Sequence, residues 1–160
     1  MLIAHAPAGY LVGVAAASRL ALPGMVLAGI AGGLAPDLDL IPYRLGWAEG
    51  HHRLSPTHWP LMWLALLAGT TALRRPLLAV FALAGLVHCG LDATMAPLYW
   101  AAPLHWRLFE LVEVPGGWDP YWLGFVFYWT FVPEVAMWLA AIWVWRRRTS
   151  SRRVEGAVVS

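Results

Sequence analysis

The chain contains no lysine and one cysteine among its 160 residues. A lone Cys89 excludes a disulfide framework and a paired-thiolate metal knuckle. Its apolar neighbours suit a small buried filler better than a reactive thiol. All eleven basic residues are arginine, and a formal net charge of +2 is too small to suggest nucleic acid. No basic stripe is interleaved with aromatics, as single-strand binders require. Charge of either sign is scarce: charged types make up 12%, where a soluble domain carries about 25%. Such a chain cannot clothe a water-facing surface. The N-terminus lacks the basic leader of a signal peptide, and its apolar stretch holds Arg19, so it reads as mature protein. A phosphate-cradling loop is missing too, because "GIAGG" lies in an apolar helix without the strand such a loop needs.

What the chain has in abundance is hydrophobicity, at 60% with mean hydropathy +0.60, and eleven tryptophans. Indole rings favour the headgroup region of a bilayer. The expected fold is an all-α integral membrane bundle of about five hydrophobic helices. Residues 8–22 and 24–35 form a short hairpin with Arg19 snorkelling at its bend, and its glycines and alanines at 9, 13, 16, 17, 28, 29, 32 and 33 permit close packing. Further spans are expected at about 57–73, about 77–97, and from Asp119 or Pro120 to Trp145. A single domain is expected over 1–148, with a basic disordered tail at 149–160. Arginine counting puts the 74–75 turn and the C-terminus in the cytoplasm, and the loops at 36–56 and 98–118 outside.

Chemistry gathers on that outer side. "APDLDLIP" (35–42) sets Asp37 and Asp39 at the end of an apolar helix, where the helix dipole is negative and carboxylates sit poorly. A divalent cation resolves both problems; an exposed helix end is the plainer alternative. "HCGLD" (88–92) puts His88 and Asp92 four apart on one helix face. They form either a bidentate metal arm or a hydrogen-bonded pair tying two helices. "HHRLSPTH" (51–58) packs His51, His52 and His58 beside Arg53, whose planar fork suits phosphate or carboxylate. His5 stands just before the first helix. Five separate segments thus deliver His5, Asp37, Asp39, His52, His58, His88 and Asp92 to one end of the bundle.

These motifs, in this order, resemble those of the YdjM-like family of predicted membrane-bound metal-dependent hydrolases. Its members show a P-D-x-D motif, an H-R-x-x-T-H-type motif, and an H-x-x-x-D helix followed by a P-L-x-W segment. The resemblance covers about residues 5–103, and the fifth span matches only in being hydrophobic. One spacing departs: the family's histidine and threonine-histidine elements stand one residue closer than His52 and His58 do. His51 and His52 therefore compete for the first ligand position, with His52 favoured because Arg53 follows it as in the family.

The expected function is metal-dependent hydrolysis of a phosphoester or headgroup bond in a lipid-like substrate. Mixed His and Asp donors suit one or more Zn²⁺ ions, with Mn²⁺ or Fe²⁺ as alternatives. The metal activates water, Arg53 neutralises phosphoryl charge, and Asp37 or Asp39 bridges ions or takes the water's proton. The expected partners are membrane lipid and a lipid-like or phosphorylated small molecule, with no nucleic acid. Competing readings are a structural metal site, a metal-transport path, or a metal-free bundle whose polar groups satisfy one another. Glu134, placed midway along the fifth span, has three open readings: neutral by an upward pKa shift, bonded to backbone freed by Pro133, or part of the site. His105, Glu110, Glu113 and Asp119 read as solvated loop residues, and Ser55 and Thr57 as helix caps.

Overall fold

The computed structural model describes residues 3–48, 51–120 and 122–158, the last eight by backbone alone. Among these the chain forms α1 (His5–Leu20), α2 (Met25–Leu34), α3 (Leu40–Arg44), α4 (Pro60–Ala72), α5 (Pro76–Asp92), α6 (Trp122–Val126) and α7 (Phe131–Val158). Short 3₁₀ turns span Pro36–Asp39, His52–Leu54 and Pro56–His58. Between α5 and α6, β1 (Leu98–Tyr99) pairs antiparallel with β2 (Leu108–Phe109), Leu98 opposite Phe109. The fold is all-α apart from that small hairpin.

Glycine sets the helix spacing. The α1–α2 hairpin turns through Ala21 and Gly24, both in the left-handed region, and its arms then touch backbone to backbone. A Cβ on Gly13 would stand 2.6 Å from the Cα of Val26, and one on Gly33 would stand 2.6 Å from the His5 carbonyl oxygen. Against α5, a Cβ on Gly32 would stand 2.8 Å from the carbonyl carbon of Phe81. On the other side of α5, Trp63 of α4 lies directly over Gly85, within a core of Ala82, Cys89, Ala93 and Leu98. Small residues where helices cross are the rule when lipid removes the hydrophobic drive between them.

Prolines decide where helices begin, and they correct several expected boundaries. Pro60 and Pro76 occupy the first turns of α4 and α5, where a missing N–H costs nothing. His58 therefore lies in the 3₁₀ turn before α4 and does not begin the helix. The fourth segment stops at Asp92, short of 97, and Pro97 keeps the helix from resuming by disfavouring helical backbone in the residue before it. The fifth segment is not one helix from 119 or 120. It breaks after Val126 and restarts at Phe131, which puts Pro133 in a first turn, where proline is tolerated. Glu134 consequently stands in the first turn of α7 and not midway along a span. The backbone of α7 runs on past Arg148 to Val158; side chains of 151–160, most of the expected tail, lie outside the described residues.

Among the described residues no single helix is long and apolar enough to cross a bilayer. Met25–Leu34 and Pro36–Arg44 pass that test together, bent by 44°. Large apolar side chains face outward all the same, including Leu27, Leu73, Phe127, Val132 and Leu139. A surface that apolar marks contact with lipid or with another protein.

Gly32→Ala should push α2 from α5 and destabilise the protein by about 1–3 kcal/mol. Gly69→Ala, on α4 with no neighbour within 4 Å, should be neutral or stabilising by up to about 1 kcal/mol. Thermal melts of both variants in detergent check the contrast.

Candidate metal centre

The 3₁₀ turn after α2 carries Asp37 and Asp39, whose side chains diverge and grip one imidazole from its two nitrogens. Asp39 Oδ2 lies 3.2 Å from His58 Nδ1, and Asp37 Oδ1 lies 3.7 Å from His58 Nε2. His58 is fully buried. Its turn is fixed from inside the bundle by Trp63, whose indole N–H donates to the Thr57 carbonyl at 2.6 Å.

The last turns of α5 supply His88 and Asp92, each about 1% exposed. His88 Nδ1 stands 2.7 Å from the Gly33 carbonyl, which can only accept a hydrogen bond. The proton is therefore on Nδ1, and Nε2 keeps its lone pair. That Nε2 lies 3.7 Å from Asp92 Oδ2 and 3.8 Å from Asp37 Oδ1, while His58 Nε2 is 3.6 Å from Asp92 Oδ2. Asp37, His58, His88 and Asp92 thus each offer a donor atom, and all four atoms fall within 4.8 Å of one another.

These distances are too long for hydrogen bonds. His58 Nε2 and His88 Nε2 are buried and hydrogen-bonded to nothing, a costly state for imidazole nitrogens aimed at carboxylates. Donors about 2.0–2.1 Å from a tetrahedral ion sit about 3.3 Å apart, and the four His–Asp pairs of this set, at 3.6–3.8 Å, stand within about half an ångström of that spacing. Charge agrees. Among the described side chains, Asp37, Asp39 and Asp92 against Arg53 leave two negative charges in this cluster when its imidazoles are neutral, the charge a divalent cation carries with opposite sign. The residues fit such an ion.

A second trio, Asp39, His52 and His58, also meets the distance requirement. It shares His58, and a neutral ring that donates Nδ1–H to Asp39 has only Nε2 left to give. As a neutral ring, His58 therefore serves one of the two groups and not both. Asp39 is better engaged as the carboxylate that orients a metal-facing histidine. It is itself firmly held: Oδ2 accepts from the Ser55 hydroxyl and from Thr57 Oγ1, the latter at 2.6 Å. His52 Nδ1 approaches Asp39 Oδ1 at 3.4 Å, and burial, reinforced by nearby His58, lowers the pKa of His52 and keeps it neutral at pH 7.

His5 completes the ring of imidazoles. It stacks on His88 with centroids 3.6 Å apart, and its Nε2 is 3.2 Å from Asp92 Oδ1. The segment before it is clamped by α7: Glu134 Oε2 accepts from the Ile3 N–H at 2.6 Å, and Trp138 Nε1 donates to the Ile3 carbonyl at 3.0 Å. Arg53 Nε reaches to 3.2 Å from Asp92 Oδ2.

All seven residues singled out from the sequence therefore meet at one end of the bundle, with Arg53 beside them. His52 joins the cluster, whereas His51 is exposed and its ring accepts the Arg53 N–H. The side chains of Ser55 and Thr57 make no capping bond to α4 or to the turn before it; they tether Asp39. The hydroxyl-x-hydroxyl spacing was the available signal, but nothing local says that its partner lies 16–18 residues away. Glu134 bonds to backbone, though to that of Ile3 and not to groups freed by Pro133. His105, Glu110, Glu113 and Asp119 stay exposed and outside the cluster.

Comparison with known families decides the relationship. The family model for the YdjM inner membrane protein matches residues 1–156. The chain belongs to the YdjM inner membrane protein family. The match extends well beyond the 5–103 stretch that carries the motifs, so α6 and α7, with Glu134, lie within the YdjM match. No curated protein and no solved structure matches the chain.

Asp39→Ala should leave the fold in place yet weaken divalent-metal binding about 10–100-fold, the usual cost of losing a carboxylate that orients a ligand. Equilibrium dialysis against Zn²⁺ or Mn²⁺ measures it. Glu134→Ala should weaken binding in the same direction, with Glu134→Gln less affected, because its carbonyl oxygen can still accept from Ile3.

Proposed function

We propose that this YdjM-family chain is an integral membrane, metal-dependent hydrolase that cleaves a phosphoester or other headgroup bond of a lipid-like substrate. One observation carries the reading: two buried imidazole nitrogens without hydrogen-bond partners and two carboxylates converge from three separate segments within 4.8 Å. Asp37, His58, His88 and Asp92 would hold the ion, with Zn²⁺, Mn²⁺ or Fe²⁺ suited to these donors. When bound, it would polarise a phosphoryl oxygen and bring water close to ionisation at neutral pH.

The remaining work falls to the chain. Asp37 is 28% exposed where Asp92 is 1%, which makes Asp37 the donor facing the approach of substrate. It is positioned to take the proton from attacking water, whereas Asp39 has its Oδ2 engaged by Ser55, Thr57 and His58. Arg53, 15% exposed, presents its free guanidinium nitrogens to the non-bridging oxygens of a phosphoryl group. His5 and Asp39 hold Asp92 and His58 at fixed angles. An apolar groove of about 290 Å³, lined by Ala6, Pro7, Tyr10, Ile30, Trp138 and Ile142, starts one residue from His5. It offers an amphiphile's tail a place beside its reacting head.

In this reading α1–α2, α4, α5 and α7 sit in the membrane as tilted or broken segments, with the metal centre on the extracytoplasmic side and the arginine-rich ends in the cytoplasm. A second reading has one specific support. Four protein donors complete a tetrahedral site, and a Zn²⁺ so enclosed is structural. An ion taking five or six ligands keeps a position for water. X-ray absorption of the loaded protein separates the two by coordination number.

His58→Ala and Asp92→Ala should abolish stoichiometric metal and any hydrolysis of a phospholipid panel while the protein still inserts in membranes. Arg53→Lys should keep the metal and lose about 10²-fold or more in turnover, because a point charge replaces a bidentate fork. Hydrolysis persisting in both ligand variants defeats the assignment.

A further inference from the structure

The end of the bundle opposite the metal centre carries a different site. There α4 ends and α5 begins across a two-residue turn, Arg74–Arg75. The Arg75 N–H donates to the Thr70 carbonyl at 2.8 Å and the Arg74 N–H to the Thr71 carbonyl at 3.0 Å. This is the paired closure of a Schellman motif, whose left-handed position belongs by preference to glycine or asparagine. Here an arginine holds it, at φ 54°. A side chain kept in a disfavoured backbone state points to a use for that side chain.

Both arginines rim a cleft of about 410 Å³ whose walls include Leu20, Leu67, Val80 and Leu83, a volume in the range of small-molecule sites, about 300–1,000 Å³. The Thr70 hydroxyl is turned onto its own helix, donating to the Leu66 and Leu67 carbonyls. The walls are thus apolar and the rim cationic. Neither guanidinium has an acidic partner among the described residues. Arg19, in the last turn of α1, adds charge at the same end. Helix-dipole compensation explains a basic residue after α4, but not one held at positive φ above an apolar cleft.

We propose that this cleft binds one anionic phospholipid of the phosphatidylglycerol type, its phosphodiester on Arg74 and Arg75 and an acyl chain between α1, α4 and α5. A basic rim facing an anionic leaflet is the charge match such a lipid needs, and membership of an inner membrane family supplies the setting. The site is independent of the metal centre.

The test uses the full chain in detergent, titrated with phosphatidylglycerol or phosphatidylcholine and read by native mass spectrometry, with thermal melts alongside. One phosphatidylglycerol per chain should be retained and phosphatidylcholine displaced. In the variant R74G/R75Q the melting temperature should rise or hold, since glycine relieves the left-handed position. Its phosphatidylglycerol affinity should fall about thirtyfold, about fivefold per lost charge. Ala79→Phe, which fills the cleft and spares the arginines, should also weaken binding. Three results overturn the proposal: equal retention of both lipids, unchanged affinity in either variant, or full displacement by soluble glycerol phosphate.

Discussion

The structure turns on the carboxylate of Asp92. It is about 1% exposed at the end of a helix whose own dipole repels it, and uncompensated burial of such a charge costs several kcal/mol. Among the described residues, His5 answers that cost at one oxygen, and His58, Arg53 and, from the preceding turn of the same helix, His88 around the other. Each arrives on a different element or a different turn of one. The start of α1, the turn before α4 and the His52–Leu54 turn must therefore all dock where α5 ends, and the remaining fold follows from bringing them there.

Bringing them there is the work of glycine and proline. Residues without side chains at 9, 13, 29, 32 and 33 let α1 lie on α2, and α2 on α5, at backbone contact. His88 can then reach the Gly33 carbonyl directly. Pro36, Pro56 and Pro60 break the chain into short turns that aim Asp37, Asp39 and His58 inward. Close packing and chemistry are thus one requirement: a methyl group on Gly33 would disturb both the His5 backbone and the carbonyl that fixes the His88 tautomer.

Much of this was legible in the sequence because helical spacing is local. His88 and Asp92, four apart, had to share a face, and apolar segments ending at Asp37 and starting after His58 had to bring those residues to one end. Helix breaks were harder to place, since the largely apolar run through 120–145 contains Pro133, whose effect depends on which turn it occupies. The different surroundings of Asp37 and Asp39 were not legible at all. They depend on Ser55 and Thr57 claiming one carboxylate and leaving the other, a long-range choice with no periodic signature. Glu134 was misplaced for the same reason, its partner being 131 residues away at Ile3.

The backbone-to-backbone seam between α1 and α2 has a mechanical corollary. His5 rides at one tip of that hairpin and Asp37 just beyond the other, so neither can swing without dragging its neighbour. The pair behaves as a fixed wall. The stretch bearing His52, Arg53, Ser55 and Thr57 is held to that wall differently, by side-chain hydrogen bonds to Asp39 and by the Trp63 indole on the Thr57 carbonyl.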